Sequence, residues 1–251
     1  MSYNLKNYYR KIAPFFNRIR FDQDKDILED TKILQNYLNN KDGVLLEIGC
    51  GTARYSLSLK EMGHDVLGVD ISLDQLKNTD GVLKRICASS TRLPFIEDYF
   101  NGCLAVFMFQ QLNRKERHET LNEIFRTLRK DGILYIKTSS HKDISRQPFL
   151  DFFPSIMHVD FKRYPDIPEL TEELKQNGFM VVEKKSNISK NLMKTSDLLF
   201  CVENKNISPL YLISESEFEN GLKKLKAYYS NKEYSTVYLY YTLLICKKRK
   251  K

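Results

Sequence analysis

Glu47-Ile48-Gly49-Cys50-Gly51-Thr52-Ala53 and, nineteen residues beyond Gly51, Asp70 are the residues of this chain whose types and spacing point most directly to chemistry. A glycine turn between a strand and a helix lets a ligand approach the backbone closely. An acid about twenty residues further on accepts hydrogen bonds from both hydroxyls of a ribose. Together they describe a site for an adenosine-bearing cofactor at the carboxyl edge of a sheet. A dinucleotide loop would place a third glycine where Arg54 stands, so that its helix packs closely over a pyrophosphate. Arg54 therefore argues against a nicotinamide cofactor.

A base candidate is His141, which follows an expected strand and so falls where open α/β sheets place their active crevice. His64, His118 and His158 are read as structural. No triad or metal cluster is visible in the sequence. Cys50, Cys87, Cys103, Cys201 and Cys246 are scattered without a Cys-x-x-Cys pair and read as reduced packing residues. Two aromatic groups could line an acceptor pocket. The first, Tyr8, Tyr9, Phe15 and Phe16, stands with Arg18 and Arg20. The second comprises Phe149, Phe152, Phe153, Met157 and Phe161. The acceptor candidates taken from them are Tyr9, Phe16, Arg18, Arg20 and Phe153.

The elements that must position these residues alternate between strand-like and helix-like lengths, which predicts a mostly parallel sheet covered by helices. Seven strands are expected, at Val44 to Ile48, His64 to Val69, Leu83 to Cys87, Gly102 to Phe109, Gly132 to Thr138, Phe179 to Lys184 and Val237 to Cys246. Helices are expected from the glycine turn to about Met62, over Arg117 to Arg129, and over Glu169 to Asn177. The chain reads as one α/β, doubly wound domain over residues 1–251, with a helical lid at 1–40 and an inserted cap at 185–234. Within the cap, Phe218, Leu222, Leu225 and Tyr229 fall along one face of an amphipathic helix, Glu215 to Tyr229.

Of the 251 residues, 42% are hydrophobic and 29% charged, which excludes a disordered chain. The longest apolar stretch, Cys103 to Phe109, is far below the ~20 residues that cross a bilayer, and the start of the chain is polar. A cytoplasmic protein without membrane insertion is expected. The net charge of +8 falls to +3 without Lys247 to Lys251, which read as a dispensable tail after the last strand.

The residues at 47–53 and Asp70 resemble the glycine motif and ribose acid of the class I S-adenosylmethionine-dependent methyltransferases, in particular the methyltransferase-11-like group. Leu93-Pro94-Phe95 and Leu128-Arg129-Lys130-Asp131-Gly132 resemble two further signatures of that group, in family order, over about Asn7 to Lys184. The resemblance implies a Rossmann-like fold and an S-adenosylmethionine cofactor. It implies cofactor contacts from Glu47, Gly49, Cys50, Gly51, Ala53, Asp70, Ile71, Ser89, Ser90 and Phe107, and no metal. Three departures stand out. Ser89 replaces the acid that relatives place beside the adenine amino group, Ala53 replaces a glycine as a mild change, and Gln110-Gln111 replaces a frequent His-His pair.

Methyl transfer from a sulfonium is an in-line displacement that mainly needs alignment and exclusion of water. The expected acceptor is a small or medium-sized organic molecule between the N-terminal helix and the cap. A second class is a tRNA-modifying enzyme. Phe16-Asn17-Arg18-Ile19-Arg20 with Gly49 to Tyr55 also resembles the wobble-uridine methyltransferases, and Lys184, Lys185, Lys190 and Lys194 could form a basic face for RNA. A third is a cofactor-binding partner protein without turnover. Acceptor identity, the methylated atom and oligomeric state have no signal in these residues.

Overall fold

A computed structural model describes residues 3–12, 24–38, 43–78 and 83–249. The expected roles of Phe15, Phe16, Arg18 and Arg20 lie outside the described residues. In chain order the elements are α1 (Tyr3–Ile12), α2 (Asp24–Tyr37), β1 (Val44–Ile48), α3 (Arg54–Glu61), β2 (Asp65–Asp70), α4 (Leu73–Lys77), β3 (Lys84–Cys87) and β4 (Phe100–Val106). They continue as α5 (Arg114–Thr127), β5 (Leu128–Thr138), α6 (His141–Ile144), α7 (Ser155–Arg163), α8 (Ile167–Gln176), β6 (Phe179–Lys194), α9 (Thr195–Glu203), α10 (Glu215–Tyr229) and β7 (Tyr234–Lys248).

The strands form a seven-stranded sheet in the order β3-β2-β1-β4-β5-β7-β6. Only β7 runs antiparallel, to both β5 and β6, while the remaining pairs are parallel. A parallel sheet with helices on both sides buries both faces of its strands, which explains their near-continuous apolar runs. Leu46 and Ile48 of β1 point to one side with Cys103, Ala105, Leu134 and Ile136, packing against Leu121 and Ile124 of α5 and Leu170 and Leu174 of α8. Leu45, Leu104, Ile133 and Tyr135 point to the other, against Ile27 and Leu34 of α2 and Tyr55 and Leu59 of α3. The strand order reverses between β1 and β4. That reversal opens a crevice at their carboxyl ends, into which the loops after β1, β2, β3, β4 and β5 converge.

Two boundaries differ from the sequence expectation. β6 does not stop at Lys184 but pairs with β7 as far as Lys194↔Tyr234, so the inserted cover begins at α9 and comprises 195–233. The reason is an inverted alternation. Ser189 and Asn191 are buried while Ile188 and Leu192 are more than half exposed, so the polar side faces inward, where Asn191 donates to Asp26 of α2. The start of the basic run is not a tail either, while Lys250 and Lys251 lie outside the described residues. Lys247 and Lys248 belong to β7, and the Lys248 ammonium lies 2.8 Å from Asp98 and over the Phe125 ring.

The cover has its own apolar core. Phe153 and Ile156 from the 148–163 segment pack with Leu198 and Val202 of α9, Leu210, Phe218 and Leu225 of α10, and Val237 of β7.

Candidate active site

The backbone after β1 turns through left-handed conformations at Gly49 (φ 67°) and Gly51 (φ 53°). A β-carbon on Gly49 would also stand 3.0 Å from Met108, so glycine is required there both by conformation and by space. The turn is held to β2: the Gly49 and Cys50 amides donate to the Val69 carbonyl at 2.8 and 3.1 Å. Asp70, at the end of β2, accepts from the Gly51 amide through Oδ2 and from the Ser72 amide through Oδ1, both at 2.8 Å. A carboxylate has about four lone-pair positions. The amides of Gly51, Ser72 and Ile71 use part of this capacity, and the rest is left for a diol such as the ribose edge.

Ala53 is also left-handed, with φ 61°. Its substitution for glycine is thus not the mild change expected from its place at the start of α3. A β-carbon in this conformation costs about 1–2 kcal/mol. Ala53 is 1% exposed and packs with Cys50, Leu76 and Leu83 beneath the loop. Phe107, the first residue after β4, is a second non-glycine residue at positive φ (45°), held by its amide donating to the Lys137 carbonyl at 2.8 Å. Strained positions of this kind gather where surrounding structure forces the chain around a ligand site.

Glu47 is buried, and its Oε2 accepts from the Ser56 amide at 2.9 Å, tying the end of β1 to the first turn of α3. Burial pushes its carboxyl up to about 7, against the Ser56 bonds that lower it and with the Asp70 charge adding to the rise. Burial likewise raises Asp70, opposed by the amides of Ser72, Gly51 and Ile71.

These residues line one cavity of about 370 Å³ that runs from the glycine turn to the cover. Of the expected cofactor contacts, Glu47, Gly49, Cys50, Gly51, Asp70, Ile71, Ser89, Ser90 and Phe107 line it, and Ala53 does not. Ile71 is 48% exposed, an apolar surface that an adenine could cover. Where relatives carry an acid, the Ser89 hydroxyl lies 2.9 Å from that of Thr91. The Ser90 hydroxyl is turned to Thr120 of α5 at 2.9 Å.

The other half of the cavity is walled by α1, the 144–164 segment and the cover. Tyr9 lines it, and its hydroxyl accepts from the Gln111 side chain at 2.8 Å while its carbonyl accepts from Gln75 at 3.2 Å, which fastens α1 over the crevice. The cover contributes Cys201 and the stretch Asn206 to Pro209. Its amphipathic helix α10 supports that stretch from behind and does not reach the cavity.

Two expectations fail here. His141 does not line the cavity: its Nε2 is 3.1 Å from the Tyr164 carbonyl and its ring stacks on Phe161 at 4.5 Å. The capping box of Ser140 and Asp143 fixes the start of α6 and turns the histidine toward α7. Phe153 is fully buried in the core of the cover. From its group, Phe149 lines the cavity instead.

Sequence reasoning missed Asp160, Tyr164, Asn206 and Ser208, which converge on this half. Arg163 bridges two of them, donating to Asp160 Oδ1 at 2.9 Å and to Ser208 at 3.1 Å. Burial raises the Asp160 carboxyl to about 6 against the lowering effect of Arg163. Burial also raises the Tyr164 hydroxyl, with the Asp160 charge adding to it. Both side-chain atoms of Asn206, and the Oε1 atoms of Gln110 and Gln111, are buried without hydrogen-bond partners among the described residues. No sequence pattern marks these residues, because each is an ordinary polar side chain brought in by tertiary packing. The described residues contain no group of His, Cys, Asp and Glu able to hold a metal, and no helix long and apolar enough to cross a membrane.

Residues 46–136 match the family model of a methyltransferase domain, methyltransferase-11. The chain is 25% identical over 180 residues to an uncharacterized protein of Methanocaldococcus jannaschii, covering 72% of this chain and 71% of that one. It is 22% identical over 198 residues to an uncharacterized methyltransferase of Staphylococcus carnosus, covering 76% and 91%. Among solved structures it superposes on a candidate methyltransferase from an antibiotic biosynthesis pathway of Anabaena variabilis. That match has a TM-score of 0.67 at 19% identity, over 86% of this chain and 96% of the other.

Proposed function

The chain carries a class I S-adenosylmethionine-dependent methyltransferase domain, and from that premise we propose that its acceptor is a small or medium-sized organic molecule. The observation that carries this reading is the single cavity shared by the glycine turn at one end and by α1 and the cover at the other. A macromolecular acceptor would need an open approach and a basic rim, since phosphate contacts dominate nucleic-acid affinity. Lys184, Lys185, Lys190 and Lys194 lie exposed along β6, and none of them lines the cavity.

When bound, S-adenosylmethionine supplies a methyl group on a positively charged sulfur, a leaving group already activated. The residues fit it. Asp70 keeps acceptor capacity for the ribose, Ile71 offers the apolar surface, and the half-buried Asp70 places negative charge beside a cationic ligand. The chain's own work is to hold the Gly49–Gly51 backbone open, to orient the acceptor against the end of β4, and to exclude water with α1 and the cover. Gln110 and Gln111, with unpartnered Oε1 atoms at that strand end, are suited to hold the acceptor's polar groups.

The test is transfer of an isotopically labelled methyl group into an extract separated into small molecules, RNA and protein. Label is expected in the small-molecule fraction. Label confined to RNA, with binding of bulk tRNA that survives physiological salt, would replace this reading with the tRNA-modifying one. Binding of S-adenosylhomocysteine without transfer to any fraction would favour the silent partner protein.

A further inference from the structure

We infer that Asp160 is the group that receives the acceptor, binding its amino nitrogen and taking the proton that nitrogen must lose, so that the substrate class is an amine. This rests on the small-molecule reading above.

The first support is charge. Four acids line the cavity, Glu47, Asp70, Glu116 and Asp160, of which burial keeps Glu47 protonated up to about pH 7 and Arg163 offsets part of the charge of Asp160, and Arg54 is the single cation among the described lining residues. Glu47 and Asp70 belong to the glycine turn, and Arg54 faces Asp24 at 3.1 Å on the cofactor side. Arg163 does not line the cavity and is spent on Asp160 and Ser208. A carboxylate or phosphate acceptor would therefore enter a site with acids and no available cation, whereas an ammonium would be drawn to it.

The second support is the wall around Asp160. Its Oδ1 is held by Arg163, while Oδ2 has no hydrogen-bond partner among the described residues. Tyr9, Tyr164 and Tyr238 line the same cavity, and aromatic faces beside a carboxylate are the usual surroundings of a bound ammonium. A neutral hydroxyl would gain a hydrogen bond but nothing from the acids or the rings. Asn206, with both side-chain atoms unpartnered, offers a further donor and acceptor to the rest of such a molecule.

The acid is placed and tuned for proton transfer. Near pH 7 it is ionised, with a proton affinity close enough to neutrality to accept and release. The acceptor nitrogen gives a proton to Asp160, which passes it to solvent. The freed lone pair then forms a bond to the methyl carbon, and the carbon–sulfur pair goes to sulfur, leaving a neutral thioether and an N-methylated ammonium. The other titratable or charged groups on elements packed against α7 act elsewhere. His141 lies against Phe161, Lys142 and Asp151 are exposed, Asp143 is held in its capping box and by Thr242, and Tyr211 packs on Tyr8.

The experiment uses the full chain and its source cells' metabolite extract, separated at about pH 5 on a cation exchanger into a retained, cationic fraction and a flow-through before enzyme and labelled donor are added to each, with the unreacted donor removed before counting. Labelled methyl is expected in the retained fraction. Label in the flow-through alone overturns the amine assignment and leaves the small-molecule reading intact, whereas label only in RNA or protein overturns both. With the retained fraction as substrate, Asp160→Asn is expected to lower kcat/KM about 100-fold or more. It should also lose the wild-type fall in rate as pH drops through about 6, while S-adenosylhomocysteine affinity by calorimetry stays within about 2-fold. Asp160→Glu should recover part of the rate. An Asp160→Asn protein that binds S-adenosylhomocysteine normally and keeps both rate and pH limb overturns the role of Asp160.

Discussion

Replacing Asp70 by Asn tests the cofactor site with the smallest change in shape. In the folded protein Oδ1 and Oδ2 each accept one backbone amide, from Ser72 and Gly51. An asparagine has one oxygen and one NH2, so whichever way the amide is turned, a donor meets a donor at one of these two amides. The glycine turn or the start of α4 loses its tether, at a cost of about 1 kcal/mol. For a chain of this size that lowers Tm by about 2–4 °C. The ribose loses more, because it exchanges a charged acceptor for a neutral one with half its lone pairs already used. Hydrogen bonds to charged groups contribute about 1.5–3 kcal/mol, which corresponds to a roughly 10- to 150-fold weaker Kd. Calorimetric titration with S-adenosylhomocysteine reads this directly, and thermal unfolding reads the stability term. An Asp70→Asn protein that is folded and binds with unchanged Kd would place the ribose elsewhere and refute the assignment of the loop after β2.

Ala53→Gly relieves a left-handed β-carbon and should stabilise the protein by about 1 kcal/mol, seen as a Tm rise of about 2–4 °C; a fall would show that the Ala53 methyl packs better than its backbone suffers. Lys137, fully buried, pairs with the buried Asp30 at 2.7 Å and lies 4.0 Å above the Tyr241 ring. Lys137→Met alone leaves a buried carboxylate and should cost about 3–5 kcal/mol in denaturant unfolding, while adding Asp30→Asn should recover much of it. Additive losses in the double variant would contradict a coupled pair. Because Glu47 binds its proton up to about pH 7 when folded but only to about 4.5 when unfolded, its contribution to stability falls as pH rises between those values. The span is worth about 3 kcal/mol at most, and Glu47→Gln should flatten that slope in urea titrations across the window.

The cofactor half of the site was legible because local backbone dictates it. A positive-φ turn needs glycine at Gly49 and Gly51, and the acid at the next strand end follows from the length of one β-α-β unit. The sheet was legible for a related reason, since strands buried on both faces show as apolar runs such as Val44 to Ile48. The acceptor half was not, because its residues acquire meaning only from packing. His141 falls at the right chain position, but the cap of α6 turns its ring away. Phe149 and Phe153 are alike in sequence and both pack into the cover's core, and only Phe149 also reaches the cavity. The continuation of β6 was hidden by Ser189 and Asn191, whose inward direction reverses the pattern expected of a half-buried strand. Asp160 carried no signal at all until Arg163, Tyr164 and Ser208 were seen around it.

The cover joins the sheet at one point, where Lys194 pairs with Tyr234 and the Thr195 amide donates to the Glu233 carbonyl at 2.9 Å. Topologically it is therefore the loop of a hairpin, with entry and exit fixed one strand spacing apart, roughly 5 Å. No crossover passes through it, and the loops that carry Gly49, Asp70 and Phe107 lie in other connections. A segment attached in this way is an exchangeable cassette. Its length can change without altering strand order, within the limits set by its shared core with Phe153, Ile156 and Val237 and by the Arg163 bond to Ser208. The cover and the loops expected to hold the methyl donor are thus topologically independent parts of one chain.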